Sequence, residues 1–448
     1  MLERAEYEYN GGYRPFEVCD DPFETDDERQ GATDCAGLGQ SWPIYYFETN
    51  LNQELNQAFP PYYTFPISLS EGDSQLPFHA TNLRPAQAAL PYFAEYKTPP
   101  DRPLNVVHIG PSLARGGAEQ SLIDLVQATD PRVLQFSRYI AINGAGADAA
   151  YIHELVASGV VVEVGGAESI QEAADEADVV LSWGVELDRY LGGRPRPLSV
   201  QIVHGDGPWN RFFLERSRTC IDHAVAVSHR VHRRVCTDVP TTVIYNGIDG
   251  RRLARAHSRE KARAALHFCE QDFIVAFFGR LANEKRIHTI IEAVAQLPAH
   301  VKLLVVGQGH LEPELRTLAA RFLPARHTFT SADGVMGDLY SACDAVCLAS
   351  NQEGCSLVML EGMLSGCPIV STPVGAAHEL LRDRVTGLLF DGSPSGLAAG
   401  LRLLVDYPRW RNAIADEGRR QAERFGYASR MARDYEHLLT NLWRQARA

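Results

Sequence analysis

From Leu104 onward the chain repeats one unit: an apolar strand-like run, a loop, often glycine-bearing, and in most cases a helical stretch. Asn105 to Ile109 is the first run, Gly110 to Gly117 its loop and Ala118 to Gln127 its helix. Further runs fall at 138–142, 160–164, 177–181, 198–203, 224–227 and 242–245. After Asn246-Gly247-Ile248-Asp249-Gly250 and a charged helix at 258–266, they resume at 273–278, 301–306, 327–330, 344–348, 368–371 and 387–390. Strands separated by helices cannot pair through hairpins, so the alternation predicts parallel sheets covered by helices on both faces. Two sets of similar size predict two doubly wound α/β domains, at 104–250 and 251–426, facing a cleft. A last helix, 427–448, is placed to cross back to the first domain. Ligands of such sheets sit at the carboxyl ends of the strands, and that is where the polar residues below should be sought.

Residues 1–103 break this pattern. They hold 17 of the 40 aromatic residues, many prolines and 16 acidic against 5 basic side chains within the first 100. The acidic block from Asp20 to Glu28 reads as solvated, yet disorder is normally poor in aromatics. This stretch is expected to be an irregular extension that drapes over the main body or a partner, a route to oligomerisation or acceptor recognition.

The net charge of −13 therefore lies almost wholly in the extension, and neither part of the chain has the basic surface that nucleic acid requires. No apolar run is long enough to span a bilayer, and Met1 to Glu6 lacks a signal-peptide core, so a cytoplasmic protein is expected. The nine cysteines are scattered without a C-x-x-C pair, which fits buried thiols in a reducing compartment better than a zinc site.

The most informative stretch is Ser350-Asn351-Gln352-Glu353-Gly354-Cys355-Ser356-Leu357-Val358-Met359-Leu360-Glu361. An apolar run leads into a polar loop carrying Glu353, and a helix opening at Ser356 carries Glu361. The mostly apolar residues between them place this helix against a sheet, so the two acids are not a solvated pair. On a continuous helix they would lie about 12 Å apart, a span suited to a ligand with hydroxyls at both ends. The helix N-terminus between them offers free N–H groups to a diphosphate. Two incidental glutamates on a capped helix are the plain alternative.

Gly279-Arg280-Leu281-Ala282-Asn283-Glu284-Lys285 follows another apolar strand, so Arg280 and Lys285 can clamp a diphosphate at a strand end. A departing nucleoside diphosphate gains negative charge, which a metal or fixed cations must meet. The chain has no Asp-x-Asp, the usual metal–diphosphate device, and the two cations fill that need. Taken alone, the two are more often surface charges than ligands. Gly116-Gly117 permits close backbone approach to a ligand or simply a tight turn. His204 ends a strand, where a histidine can meet a hydroxyl or phosphate, although a lone histidine is more often structural.

Two rivals need weighing. Gly144-Ala145-Gly146-Ala147-Asp148-Ala149 follows a strand, opens a helix and leads to Glu163, much as a dinucleotide fingerprint would, which raises an NAD(P)-dependent oxidoreductase. Against it, the loop follows the second strand of its domain, and Gly307-Gln308-Gly309 lacks the third glycine. The segment from Trp209 to Arg218 mixes aromatics with arginines as an interfacial helix would. The preferred expectation is that Phe212 and Phe213 pack into the core while the arginines stay in water.

Taken together, 105–447 resembles the large family four of retaining GT-B glycosyltransferases. Glu353 to Glu361 matches its E-x7-E motif, and Gly279-Arg280-Leu281 with Lys285 matches its diphosphate-binding strand end. Val306-Gly307-Gln308-Gly309, Asn246-Gly247-Ile248-Asp249, Gly116-Gly117-Ala118-Glu119 and Gly375-Ala376-Ala377-His378-Glu379 match further landmarks in order. The resemblance implies two Rossmann-like domains and a nucleotide-sugar donor, with a UDP- or GDP-sugar expected and no metal. It implies Arg280 and Lys285 on the diphosphate, Glu361 on the ribose, Glu353 on the transferred sugar and Gly354, Cys355, Ser356, Leu357 and Val358 meeting the donor through backbone N–H groups. Gly116 and Gly117 would approach the donor phosphate, Gly307 would border the donor, and His204 would face the sugar. The acceptor is a hydroxyl of unknown setting: a glycan, a lipid carrier or a metabolite. Local contact with a membrane surface is compatible with these. Cys355-Ser356 and Ala376 depart from the commonest family residues, which bears on donor preference. A catalytically silent GT-B scaffold is the remaining alternative.

Overall fold

The computed structural model describes residues 100–447, apart from 194, 195, 237 and 333. The expectations for the N-terminal extension lie outside these residues.

Two parallel sheets form, as the alternation requires. The first contains β1 (Leu104–Gly110), β2 (Leu134–Ala141), β3 (Val161–Val164), β4 (Val179–Ser182), β5 (Leu198–Val203), β6 (His223–Ala226) and β7 (Thr241–Val243), in the order β3-β2-β1-β4-β5-β6-β7. The second contains β8 (Phe273–Phe278), β9 (Val301–Val306), β10 (His327–Thr330), β11 (Ala345–Leu348), β12 (Ile369–Ser371) and β13 (Leu388–Leu389), in the order β10-β9-β8-β11-β12-β13. In each, the chain reverses its direction of travel across the sheet beside the first strand, between β1 and β4 and between β8 and β11. Crevices open at the carboxyl ends of such strands.

The core of the second half shows why the sequence folds this way. Every residue of β8 is buried. Ile287, Ile290, Ile291 and Val294 recur at the spacing of one helical face and pack beneath it, on the helix Ile287–Ala295. Truncating one such isoleucine to alanine would cost about 2–5 kcal/mol. The strand bounds read from sequence agree to within a few residues. The largest difference is β2, which starts at Leu134, because Leu134 and Phe136 are also turned inward.

The chain joins the two halves twice. The first passage runs through Asn246–Asp249. On the second, the helix Ala428–Gln445 leaves the second half and lies on the helix Gly117–Ala128 of the first. There Met431 Sδ meets Ser121 Oγ and Glu436 accepts from the Asp130 N–H at 2.7 Å. The passages touch: Ile248 and Tyr427 form a parallel bridge, with Ile248 N–H donating to Gly426 at 2.8 Å and Ala428 N–H to Ile248 at 2.9 Å. Gly247 makes this approach possible, since a Cβ there would strike the Tyr427 backbone.

Candidate active site

The site lies where the carboxyl ends of β8 and β11 meet loops of the first half. Gly279, just past β8, and Gly307, just past β9, both adopt positive φ, at 136° and 141°. A Cβ on Gly307 would run into the Gly279 carbonyl, so the two loops touch backbone to backbone. The next turn, Asn283–Lys285, presents its cations differently. Arg280 is largely exposed and paired with Glu284 at 2.8 Å. Lys285 is turned inward, its Nζ 2.6 Å from Glu353 Oε1. Ser350 Oγ donates to the same oxygen at 2.7 Å, and the Asn351 N–H fastens its loop to the Glu284 carbonyl at 3.0 Å.

The helix after Glu353 spans Leu357–Leu364, and Ser356 caps it by accepting from the Met359 N–H at 3.3 Å. Glu353 therefore sits on a loop, and the continuous helix that would put 12 Å between the glutamates does not form. The backbone of 354–356 is wedged between other loops. A Cβ on Gly354 would collide with the His204 carbonyl of the first half. The Cys355 carbonyl accepts from Asn246 Nδ2 at 2.9 Å, and Ala376 N–H donates to the Gly354 carbonyl at 2.6 Å. The Cys355 and Leu357 side chains are buried and that of Val358 half-buried; burial pushes the Cys355 thiol up to about 12. This stretch can therefore meet a ligand through its main chain rather than its thiol.

Glu361 is buried, and each of its oxygens has a partner. Tyr340 OH donates to Oε2 at 2.7 Å, and Arg252 Nη2 pairs with Oε1. Tyr340 stacks on Phe278 at 4.2 Å, and Arg252 Nη1 also reaches Asp124 at 3.1 and 3.2 Å. Arg252, Asp124 and Tyr340 carry no motif that marks them in the sequence. One signal was available: Asp124 is an acid between Ile123 and Leu125 on a core-facing helix, a position that needs a cation.

From the first half, His204 follows β5 with its ring edge-on to Trp183 at 5.4 Å. Burial lowers its pKa to about 4, so it is neutral at neutral pH. Deeper on β1, His108 stacks on Tyr139 at 5.3 Å, and neither of its ring nitrogens has a partner among the described residues. Burial, then the neighbouring His204, push His108 down to about 3. Gly116 caps the helix Gly117–Ala128 in extended backbone, and a Cβ there would meet the Glu119 carboxylate. Glu119 is buried and raised to about 7 by that burial, with Arg280 of the second half acting against it. Glu379 binds the halves more directly: it accepts from the His229 and Arg230 N–H groups at 3.0 and 2.6 Å and from Tyr245 OH at 2.6 Å.

One expectation changes. Phe212 is exposed, at 37 %, and Phe213 is only half-buried, so neither packs into the core; Trp209 on the same helix, Pro208–Glu215, is exposed as well, at 64 %. That helix is short and buries only Leu214, leaving Trp209 stacked on Phe213 at 6.4 Å and Phe212 edge-on to both, at 6.0 and 5.4 Å. At the Gly144 loop the start of the following helix is already capped by a side chain of the chain itself. Asp148 accepts from the Ala150 and Tyr151 N–H groups that a pyrophosphate there would need, and it pairs with Arg115 at 2.8 Å. Among the described residues no cluster of three or more histidine, cysteine or acidic side chains is arranged to hold a metal, and no helix is long and apolar enough to cross a membrane.

The model of the family described as glycosyl transferases group 1 matches residues 258–421. The lipopolysaccharide core biosynthesis mannosyltransferase LpsB of Rhizobium meliloti (strain 1021) is 30 % identical over 247 residues, 52 % of this chain and 69 % of the relative. The D-inositol 3-phosphate glycosyltransferase of Rhodococcus opacus (strain B4) is 33 % identical over 272 residues, 55 % of this chain but only 60 % of that relative. Among solved structures, Anabaena Alr3699/HepE in complex with UDP-glucose superposes with a TM-score of 0.66 at 23 % identity, over 75 % of this chain and all of that one. WaaG, a glycosyltransferase involved in lipopolysaccharide biosynthesis, gives 0.59 at 17 %, over 75 % and 99 %. These structural likenesses concern the fold.

Proposed function

The chain belongs to the group 1 glycosyltransferases and has the GT-B fold, and from that premise we propose that it moves a sugar from a nucleotide-sugar to an acceptor hydroxyl, with retention and without a metal. The observation that carries this reading is the convergence at one crevice of Lys285 with Glu353, the buried Glu361, and the Gly354 backbone against His204. In this reading Glu361 receives the ribose hydroxyls and Glu353 the hydroxyls of the transferred sugar. Arg280 and Lys285 meet the diphosphate, together with the N–H groups around Gly354–Val358. Gly116 and Gly117 close on the phosphate from the other half, and Gly307 shapes the wall beneath it.

Chemically, the bond from the anomeric carbon to the phosphate oxygen breaks while the acceptor oxygen bonds to the same face. The departing phosphate takes the acceptor's proton, so no enzyme nucleophile is needed. Negative charge grows on the diphosphate, and fixed cations there lower the barrier because they are oriented beforehand. Glu353 stabilises the cationic sugar, and neutral His204 offers a hydrogen bond without competing for charge. A uracil nucleotide is the first donor to test, since HepE was crystallised with UDP-glucose; a GDP-sugar is the second. We place the enzyme in the cytoplasm. Weak contact with a membrane surface would run through Trp209 and Phe212 beside Arg216 and Arg218. The N-terminal extension would serve the acceptor or a second subunit.

A thermal-shift panel of UDP-, GDP- and ADP-sugars with NAD and NADP, all in chelator, tests this. A ligand at one hundred times its dissociation constant stabilises the fold by about 2.7 kcal/mol. A shift with one nucleotide-sugar supports the reading. A shift with NAD or NADP alone, or with no ligand, rejects it.

A further inference from the structure

Two short relays tie the helix Gly117–Ala128 of the first half to the glutamate segment of the second, one through Asn246 of the first passage between the halves and one through Arg252 in the turn just after it. In one, Ser121 Oγ donates to Asn246 Oδ1 at 3.1 Å, and Asn246 Nδ2 donates to the Cys355 carbonyl. In the other, Asp124, one turn along from Ser121, receives Arg252, whose second nitrogen holds Glu361. Asp124 and Glu361 are buried, and the Arg252 side chain is only 23 % exposed. A carboxylate in so dry a place needs a cation and a full set of hydrogen bonds. A guanidinium supplies both from a rigid planar fork, so fixing one arm of Arg252 fixes the other. Tyr340 holds the second oxygen of Glu361, which leaves the carboxylate little freedom to turn.

We propose that Arg252 is a positioning residue of the donor site, holding Glu361 in the orientation that receives the ribose, and that Asp124, from the opposite half, holds Arg252. This rests on the reading of Glu361 as the ribose ligand. It follows that the first half contributes to nucleotide affinity through a residue that never touches the nucleotide. The helix that begins at Gly116–Gly117 is thereby kept in register with the glutamates it must oppose.

The test is a double-mutant cycle on the full chain, read by calorimetric titration with UDP, GDP and ADP. Asp124→Asn and Glu361→Gln should each weaken the bound nucleotide about tenfold, within the usual coupling of contacting groups. The double variant should bind no more weakly than Glu361→Gln alone, because the relay acts only through that carboxylate. A purely structural role for Asp124 would instead multiply the two losses, and that result, or wild-type affinity in Asp124→Asn, overturns the proposal. If Asp124→Asn does not fold, as judged by far-UV circular dichroism, Arg252→Lys replaces it in the same cycle under the same criteria. Wild-type protein that binds none of the three nucleotides overturns the donor reading itself, and the proposal with it.

Discussion

Lys285 Nζ lies 2.6 Å from Glu353 Oε1, so the cation proposed for the diphosphate and the carboxylate proposed for the sugar are each other's partners. A donor bound between them would have to share Lys285 with Glu353, which links capture of the phosphate to placement of the glutamate.

Replacing Glu353 by glutamine keeps its shape and its place beside Ser350 while removing its charge. The expected outcome is UDP affinity within about twofold of wild type and a turnover lower by about 10²–10³, the cost of losing one oriented electrostatic group. Titration calorimetry and the initial rate of nucleotide release check it. An affinity loss as large as the turnover loss would make Glu353 an anchor for Lys285 and nothing more.

Arg280 answers a different question. Its exposed pair with Glu284 contributes only about 0.2–1 kcal/mol, so Arg280→Ala should melt within a few degrees of wild type. Its turnover should nevertheless fall, because its partner in the proposed reaction is charge that develops only as the bond breaks. A variant with wild-type kcat removes Arg280 from the site.

Glu379 reports on the union of the halves. Glu379→Ala strips the acceptor from two backbone N–H groups and the Tyr245 hydroxyl, and should cost about 3 kcal/mol of stability. Denaturant unfolding measures it. UDP affinity should change little, since the nucleotide-binding residues proposed here belong to other segments.

His108 gives a pH signature. Its folded pKa, about 3, lies below the ordinary 6.5, so between these values the unfolded chain binds the extra proton. Its neutral burial therefore costs nothing above pH 6.5 and disfavours the folded state increasingly as pH falls toward 3. At pH 5 the difference amounts to about 2 kcal/mol. His108→Phe should thus gain on wild type by that amount between pH 7.5 and pH 5 in paired melts. A pH-independent difference would mean that His108 ionises freely in the folded protein.

Much of this was legible in the sequence, and what was missed has a physical reason. The strands were visible because both faces of a parallel sheet are covered, which writes itself as short apolar runs. Glu353 and Glu361 stood out as acids flanking an apolar helix. Arg252 did not, because a guanidinium beside a glycine-rich turn looks like any surface charge until the fold brings Asp124 and Glu361 to either side of it. Phe212 and Phe213 were expected in the core and are not there, for a related reason. Aromatic residues normally seek a core, and the sequence does not show that their helix is too short and too peripheral to reach one. Gly354 and Gly307 could be read as candidate ligand contacts, but the carbonyls that press on them come from remote loops.

The bridge between Ile248 and Tyr427 has a mechanical consequence. Because both passages of the chain meet there, the two halves share one pivot instead of two separate straps, and opening the cleft becomes a turn about that point. A protease cut in the loop between Leu253 and Ser258 would sever the first passage, yet the second would still hold the pieces as a hinged, jointly purifying pair.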